Sequence, residues 1–168
     1  MRALPADRGL RVVVSCDGAS RGNPGPAGIG VVVAAPAGEV LAEIARGIGV
    51  QTNNFAEYTA VIQGLARAVE LGATDVLVRS DSRLLVEQLS GRFRVKNATL
   101  RRLHEEVRRE AARFRRIRYE HVPRERNRHA DLLANRGLDE WLAAGGATAT
   151  ERARQQPLWE PPPDPDRD

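Results

Sequence analysis

The chain has 168 residues, 42% of them hydrophobic, and one cysteine, Cys16. That is enough for one domain with a full core, and it excludes an internal disulfide framework. No apolar run reaches the length of a membrane span or signal peptide, because residues 12–14 are hemmed by Arg11 and Asp17, so a cytoplasmic protein is expected. Basic side chains outnumber acidic ones by 26 to 22, and all but Lys96 are Arg; the surplus favours polyanionic partners, although a GC-rich coding sequence yields the same Arg excess.

After a flexible start over residues 1–9, segments 11–17, 28–35 and 40–48 read as three strands. They are β-branched and joined by Gly/Pro turns that permit an antiparallel meander. The period then changes. Phe55, Tyr58, Ile62, Leu65 and Val69 recur at three and four residues, which predicts a helix over 54–71 stopped by Gly72. The run DVLVRS, residues 75–80, predicts a buried strand parallel to the first. A short helix over 82–89, a charged helix over 98–114, a fifth strand IRYEHV and a last helix over 130–144 complete the folded part.

Residues 1–145 hold 23 basic and 17 acidic side chains, and residues 146–168 hold 3 and 5, so a basic body precedes a mildly acidic tail. The tail ends in QQPLWEPPPDPDRD and is too rich in proline for helix or sheet. A disordered tail or linker is expected over 146–168. The run RRLHEEVRREAARFRRIR looks like a binding stripe, but its i, i+4 charge pairs, such as Arg101 with Glu105, favour a solvated helix face.

Three acids stand at element ends. Asp17 closes the first strand, Asp81 follows the fourth, and Asp131 opens the last helix. Parallel neighbours that both end in Asp bring two carboxylates together at one edge of the sheet, where open sheets place their chemistry. Glu57, in the first turn of the long helix, can lean to the same edge. Four carboxylates in one cleft repel one another by several kcal/mol unless a cation sits between them, which points to divalent metal. Each acid taken singly also has a structural account. Asp17 and Asp81 suit turn formation, Glu57 has capping-box spacing from Asn54, and Asp131 suits a helix N-terminus.

The segments CDGASRGNPGPAGIG, TNNFAEYTAVIQGL, VRSDSRLLVEQL and VPRERNRHADLLAN occur in this order. As a set they resemble the type 1 ribonuclease H family, over residues 10 to 145. The resemblance implies a ribonuclease H-like α/β fold, a five-stranded mixed sheet of order 3-2-1-4-5 flanked by helices. It implies an endonuclease that hydrolyses the RNA strand of an RNA·DNA hybrid, leaving 5′-phosphate and 3′-hydroxyl ends. The family's catalytic, metal-holding acids fall on Asp17, Glu57, Asp81 and Asp131. Two Mg²⁺ ions, with Mn²⁺ as substitute, would sit about 4 Å apart and share Asp17. Glu57 would also meet the RNA 2′-hydroxyl. Asn53 and Asn54 resemble minor-groove contacts, and Asn23 and Thr52 resemble residues that grip a DNA-strand phosphate. The Gly-rich turn is no nucleotide loop, since it lacks the GK[ST] ending and leads into a strand.

The chain departs from the family pattern in three places. Val50 stands where many relatives have Arg, two residues before Thr52. The basic helical handle is absent, since SGRFRVKNATL passes straight across its position. Arg92, Arg94 and Lys96 would replace it in part, or form a solvated loop. The loop that in many relatives bears a product-releasing His is shortened; Arg124 falls nearest that place, with His121 and His129 as the histidine candidates. A monomer is the default expectation, and the Pro-rich end resembles a linker of the kind that joins some relatives to a phosphatase-like domain. Two other readings are a hybrid- or duplex-RNA-binding module without turnover, and an integrase or exonuclease of the wider superfamily. The retained acids oppose the first, and GNPGP and TNNFAE oppose the second.

Overall fold

The computed structural model describes residues 9–146; the expectations for the N-terminal segment and the Pro-rich tail therefore lie almost wholly outside the described residues. The elements run β1 (Leu10–Ser20), β2 (Gly25–Ala34), β3 (Val40–Gln51), α1 (Asn53–Glu70), β4 (Ala73–Ser80), α2 (Arg83–Leu89), α3 (Ala98–Ala111), β5 (Arg116–His121), a single 3-10 turn (Arg124–Arg126) and α4 (Arg128–Ala143). The strands form one five-stranded sheet of order β3-β2-β1-β4-β5. The meander β1, β2, β3 is antiparallel, and β1, β4 and β5 are parallel. This is the expected architecture.

Strand alternation explains the layering. On one face of the sheet Val12, Val14, Cys16, Ile29, Val31 and Val33 are buried, and α1 covers them with Tyr58, Val61, Leu65 and Ala68. Full burial of side chains of this size stabilises the fold by about 1.5–3 kcal/mol each. The α1 stripe turns slightly from the expected one: Phe55, Ile62 and Val69 are only half-buried, while the small Ala56, Ala60 and Gly64 sit against the sheet. Gly64 is required there, because a Cβ would lie 2.7 Å from a Val14 methyl.

On the other face α4 packs on β2 and β3 so closely that its backbone meets the strands, with Leu133, Ala134 and Leu138 buried. A Cβ at Gly30 would lie 1.9 Å from the Ala130 carbonyl oxygen, and one at Gly28 would lie 2.5 Å from that of Ala134. Gly30 is also the cross-strand partner of Asp17. The start of α4 is thereby brought down beside that carboxylate.

Three boundaries differ from the sequence reading. β1 does not end at Asp17, because pairing with β2 carries it on to Ser20, and only its pairing with β4 stops, at Ser15. α1 is capped by Thr52, whose hydroxyl accepts the Phe55 N–H at 3.1 Å. Glu57 therefore lies in the second turn and not at capping-box distance from the cap. α3 ends at Ala111, leaving Phe114 to bury itself at the turn into β5.

Candidate active site

Asp17, Glu57 and Asp81 come together beyond the point where β1 and β4 part, and each presents one carboxylate oxygen within 4.8 Å of the other two. Each is aimed by its own element. Asp17 is buried within the β1–β2 ladder. Asp81 is the first residue past β4. Glu57 reaches in because Gly18 leaves room for α1 to approach β1: a Cβ there would lie 2.4 Å from the Glu57 nitrogen. The Ser82 hydroxyl hydrogen-bonds the Glu57 carboxylate, while its oxygen accepts the Leu85 N–H at the start of α2. Asp131, in the first turn of α4, stands outside this trio but lies close enough to Asp17 to raise its carboxyl. Asn135, one turn on, donates to the Asp131 carboxylate at 3.4 Å and to its carbonyl at 3.0 Å.

The electrostatics follow from the crowding. Burial, and then the closeness of Asp131 and the charges of Asp81 and Glu57, push the Asp17 carboxyl up to about 8. Burial and the Asp81 charge push Glu57 up to about 7, against the pull of Ser82. Burial also raises Asp81, opposed by the nearby positive charge of Arg124 and, more weakly, by His121. A cluster of hard oxygen donors that resists ionising together is suited to a divalent cation, which relieves the repulsion and binds through carboxylate oxygens.

The expected substrate contacts gather at one side of this cluster. The Asn23 side-chain oxygen accepts the Asn53 N–H at 3.1 Å, so the β1–β2 turn is tied to the start of α1. Ser20 strengthens that tie by donating to the Gln51 carbonyl at 2.8 Å. Asn23, Asn53 and Asn54 are exposed, and Thr52, half-buried, caps α1 between them. Val50, next to them, is 61% exposed. Arg124, Glu125, Arg128, Asp131 and Leu132 line an open concavity of about 550 Å³.

Of the three loop candidates, Arg124 and His121 lie near Asp81, whereas His129 turns to β3 and meets the Glu43 carboxylate at 3.2 Å. Of the residues expected to replace the handle, Arg92 is held by Glu87, and Arg94 and Lys96 are exposed. The Arg-rich run has a structural side: Arg101 donates to the Lys96 carbonyl, and Arg115 pairs with Asp75. Sequence reasoning missed Ser82, Asn135 and Asn127. For Asn135 a signal existed, since it follows Asp131 by one helical turn.

Fold and site together define an α/β protein with a carboxylate cluster suited to divalent metal. A family described as reverse transcriptase-like matches residues 15–137. The bifunctional protein Rv2228c of Mycobacterium tuberculosis is 51% identical over 141 residues, covering 83% of this chain and 39% of that protein. Ribonuclease HI of Halobacterium salinarum is 44% identical over 134 residues, covering 80% of this chain and 67% of that protein. The structure of LC11-RNase H1 in complex with RNA/DNA hybrid superposes with a TM-score of 0.75 at 38% identity, covering 78% of this chain and 99% of that one. The chain belongs to the type 1 ribonuclease H family. It spans about two fifths of the length of the mycobacterial proteins it matches. Among the described residues no helix is long and apolar enough to cross a membrane.

Proposed function

We propose that this chain is an endoribonuclease that hydrolyses the RNA strand of RNA·DNA hybrids, leaving 5′-phosphate and 3′-hydroxyl ends. The observation that supports it most is the meeting of Asp17, Glu57 and Asp81, distant in sequence, within 4.8 Å of one another. The hybrid bound by LC11-RNase H1, a homologue at 38% identity, supports the choice of substrate.

In this reading Asp17, Glu57, Asp81 and Asp131 hold two Mg²⁺ ions, for which Mn²⁺ substitutes. When bound, such ions supply Lewis acidity at the scissile phosphate and ease deprotonation of the attacking water. The protein's own residues do the rest. Asn23 and Thr52 grip a phosphate of the DNA strand, and Asn53 and Asn54 follow the minor groove. Glu57 accepts a hydrogen bond from the ribose 2′-hydroxyl, the group that separates RNA from DNA. Arg124, near Asp81, would assist product release by meeting the leaving strand's phosphate.

The test presents labelled RNA·DNA hybrid, double-stranded DNA and double-stranded RNA of one sequence, with Mg²⁺ and with EDTA. Cleavage of the hybrid's RNA strand alone, abolished by EDTA, is expected. Binding without cleavage, or equal cutting of double-stranded DNA, would sink the reading.

A further inference from the structure

Asn127 behaves unlike an ordinary residue at a helix start. It immediately precedes α4, where an asparagine oxygen usually accepts an N–H of the first turn, yet α4 has no side-chain cap. The side chain is turned inward instead. Its Nδ2 donates to the Cys16 carbonyl at 2.9 Å, across 111 residues of sequence. Asn127 is 2% exposed, and among the described residues its Oδ1 is buried without a hydrogen-bond partner. The reverse amide orientation would set two oxygens face to face, so chemistry fixes which end points at Cys16.

Forgoing a cap and burying an orphan acceptor both oppose folding, so stability alone does not account for the arrangement. The placement of its two bonds does. The β1–β4 ladder ends at Ser15, and Asn127 takes the carbonyl of the next residue, the one whose peptide bond leads into Asp17. Through its own carbonyl Asn127 accepts the Asp131 N–H at 3.1 Å, the first turn of α4. One residue is thus bonded to the backbone of both acid-bearing segments.

We infer that Asn127 is a positioning residue that sets the separation of the Asp17 and Asp131 carboxylates and so tunes the affinity of the site for divalent cation. The inference rests on the metal-dependent reading above. Asn127→Leu keeps the branching at Cγ, removes the donor to Cys16 and also removes the orphan oxygen. A merely structural role predicts an altered melting temperature in EDTA with unchanged cation response. The positioning role predicts that, without substrate, the Mn²⁺ concentration giving half of the metal-induced rise in melting temperature increases by about 10-fold or more. It also predicts that kcat on the hybrid falls while KM for the hybrid stays within about 2-fold, because Asn127 does not touch the duplex. An unchanged Mn²⁺ midpoint in a folded variant overturns the proposal. Should Asn127→Leu not fold, Asn127→Ser, whose side chain is too short to reach Cys16, is measured the same way. A wild-type protein that responds to Mn²⁺ but leaves hybrids intact sinks the nuclease reading, and the Mn²⁺ midpoints still decide the role of Asn127.

Discussion

The two ends of β4 each hold an aspartate, and they live under opposite conditions. Asp75, near the strand's beginning, is met by Arg115 at 3.2 Å and Arg11 at 3.9 Å, and Arg115 with its hydrogen bond holds the carboxyl below its usual range. Asp81, just past the strand's end, stands with Asp17 and Glu57, and burial, with the charge of Asp131, raises its carboxyl against the pull of Arg124. One acid has a hydrogen-bonded counter-charge built into the fold, and the other sits in a carboxylate cluster that Arg124 only partly offsets. Company together with burial, more than residue type, separates the two acids.

The largest expected effect breaks that comparison directly. Asp81→Asn removes one metal-binding oxygen at nearly constant size, and turnover on hybrid should fall by a thousandfold or more, to roughly the level left by binding alone. The circular dichroism spectrum and melting temperature should be retained or improved. Asp75→Asn should do the reverse, lowering the melting temperature and leaving turnover near wild type. Equal losses of activity in both variants would erase the distinction.

The next effect is on stability. In EDTA the folded state keeps protons on Asp17 to about pH 8 and on Glu57 to about pH 7, whereas the unfolded chain releases them near pH 4. Between these limits the native state binds more protons, so these groups make the apoprotein less stable as pH rises. Asp17→Asn cannot ionise and should recover on the order of a few kcal/mol at pH 8, read from denaturant midpoints at pH 5 and pH 8. A wild-type protein whose apo stability is flat over this range would show that the acids are not crowded in solution.

The same protons compete with the cation. Half-saturating Mg²⁺ should therefore fall as pH rises, by about tenfold or more between pH 6 and pH 8, when followed by hybrid cleavage at fixed ionic strength. The smallest effect asks what a guanidinium contributes when it faces substrate and not a carboxylate. Val50→Arg should lower KM for the hybrid by about threefold at low salt, and the gain should fade as salt is raised.

The sheet was legible because its strands are β-branched runs broken by glycine and proline, and the change of period at Phe55 marked the crossover helix. The end of β1 was not. An aspartate reads as a terminator, yet antiparallel pairing with β2 needs only backbone and carries β1 through Gly18 and Ala19 to Ser20. Thr52, not Asn54, caps α1, because the cap depends on which residue keeps extended backbone before the first turn. The meeting of Asp17, Glu57 and Asp81 was legible because their segments come in a fixed order, while Asp131 stands outside that trio. Asn127 was hidden for the opposite reason: an asparagine inside RERNRH looks like a helix cap, and its actual bond reaches a strand 111 residues away.

The contact of α4 with β2 sets a limit on how far the site can drift. With a methyl 1.9 Å from the Ala130 oxygen, a single Gly30→Ala change would have to lift the helix by on the order of 1 Å to regain van der Waals distance. Asp131 would ride outward with it, though no carboxylate of the cleft had been altered. A hydrogen atom in place of a side chain, on a residue covered by the α4 backbone, thus acts as the spacer from which the fourth carboxylate is measured.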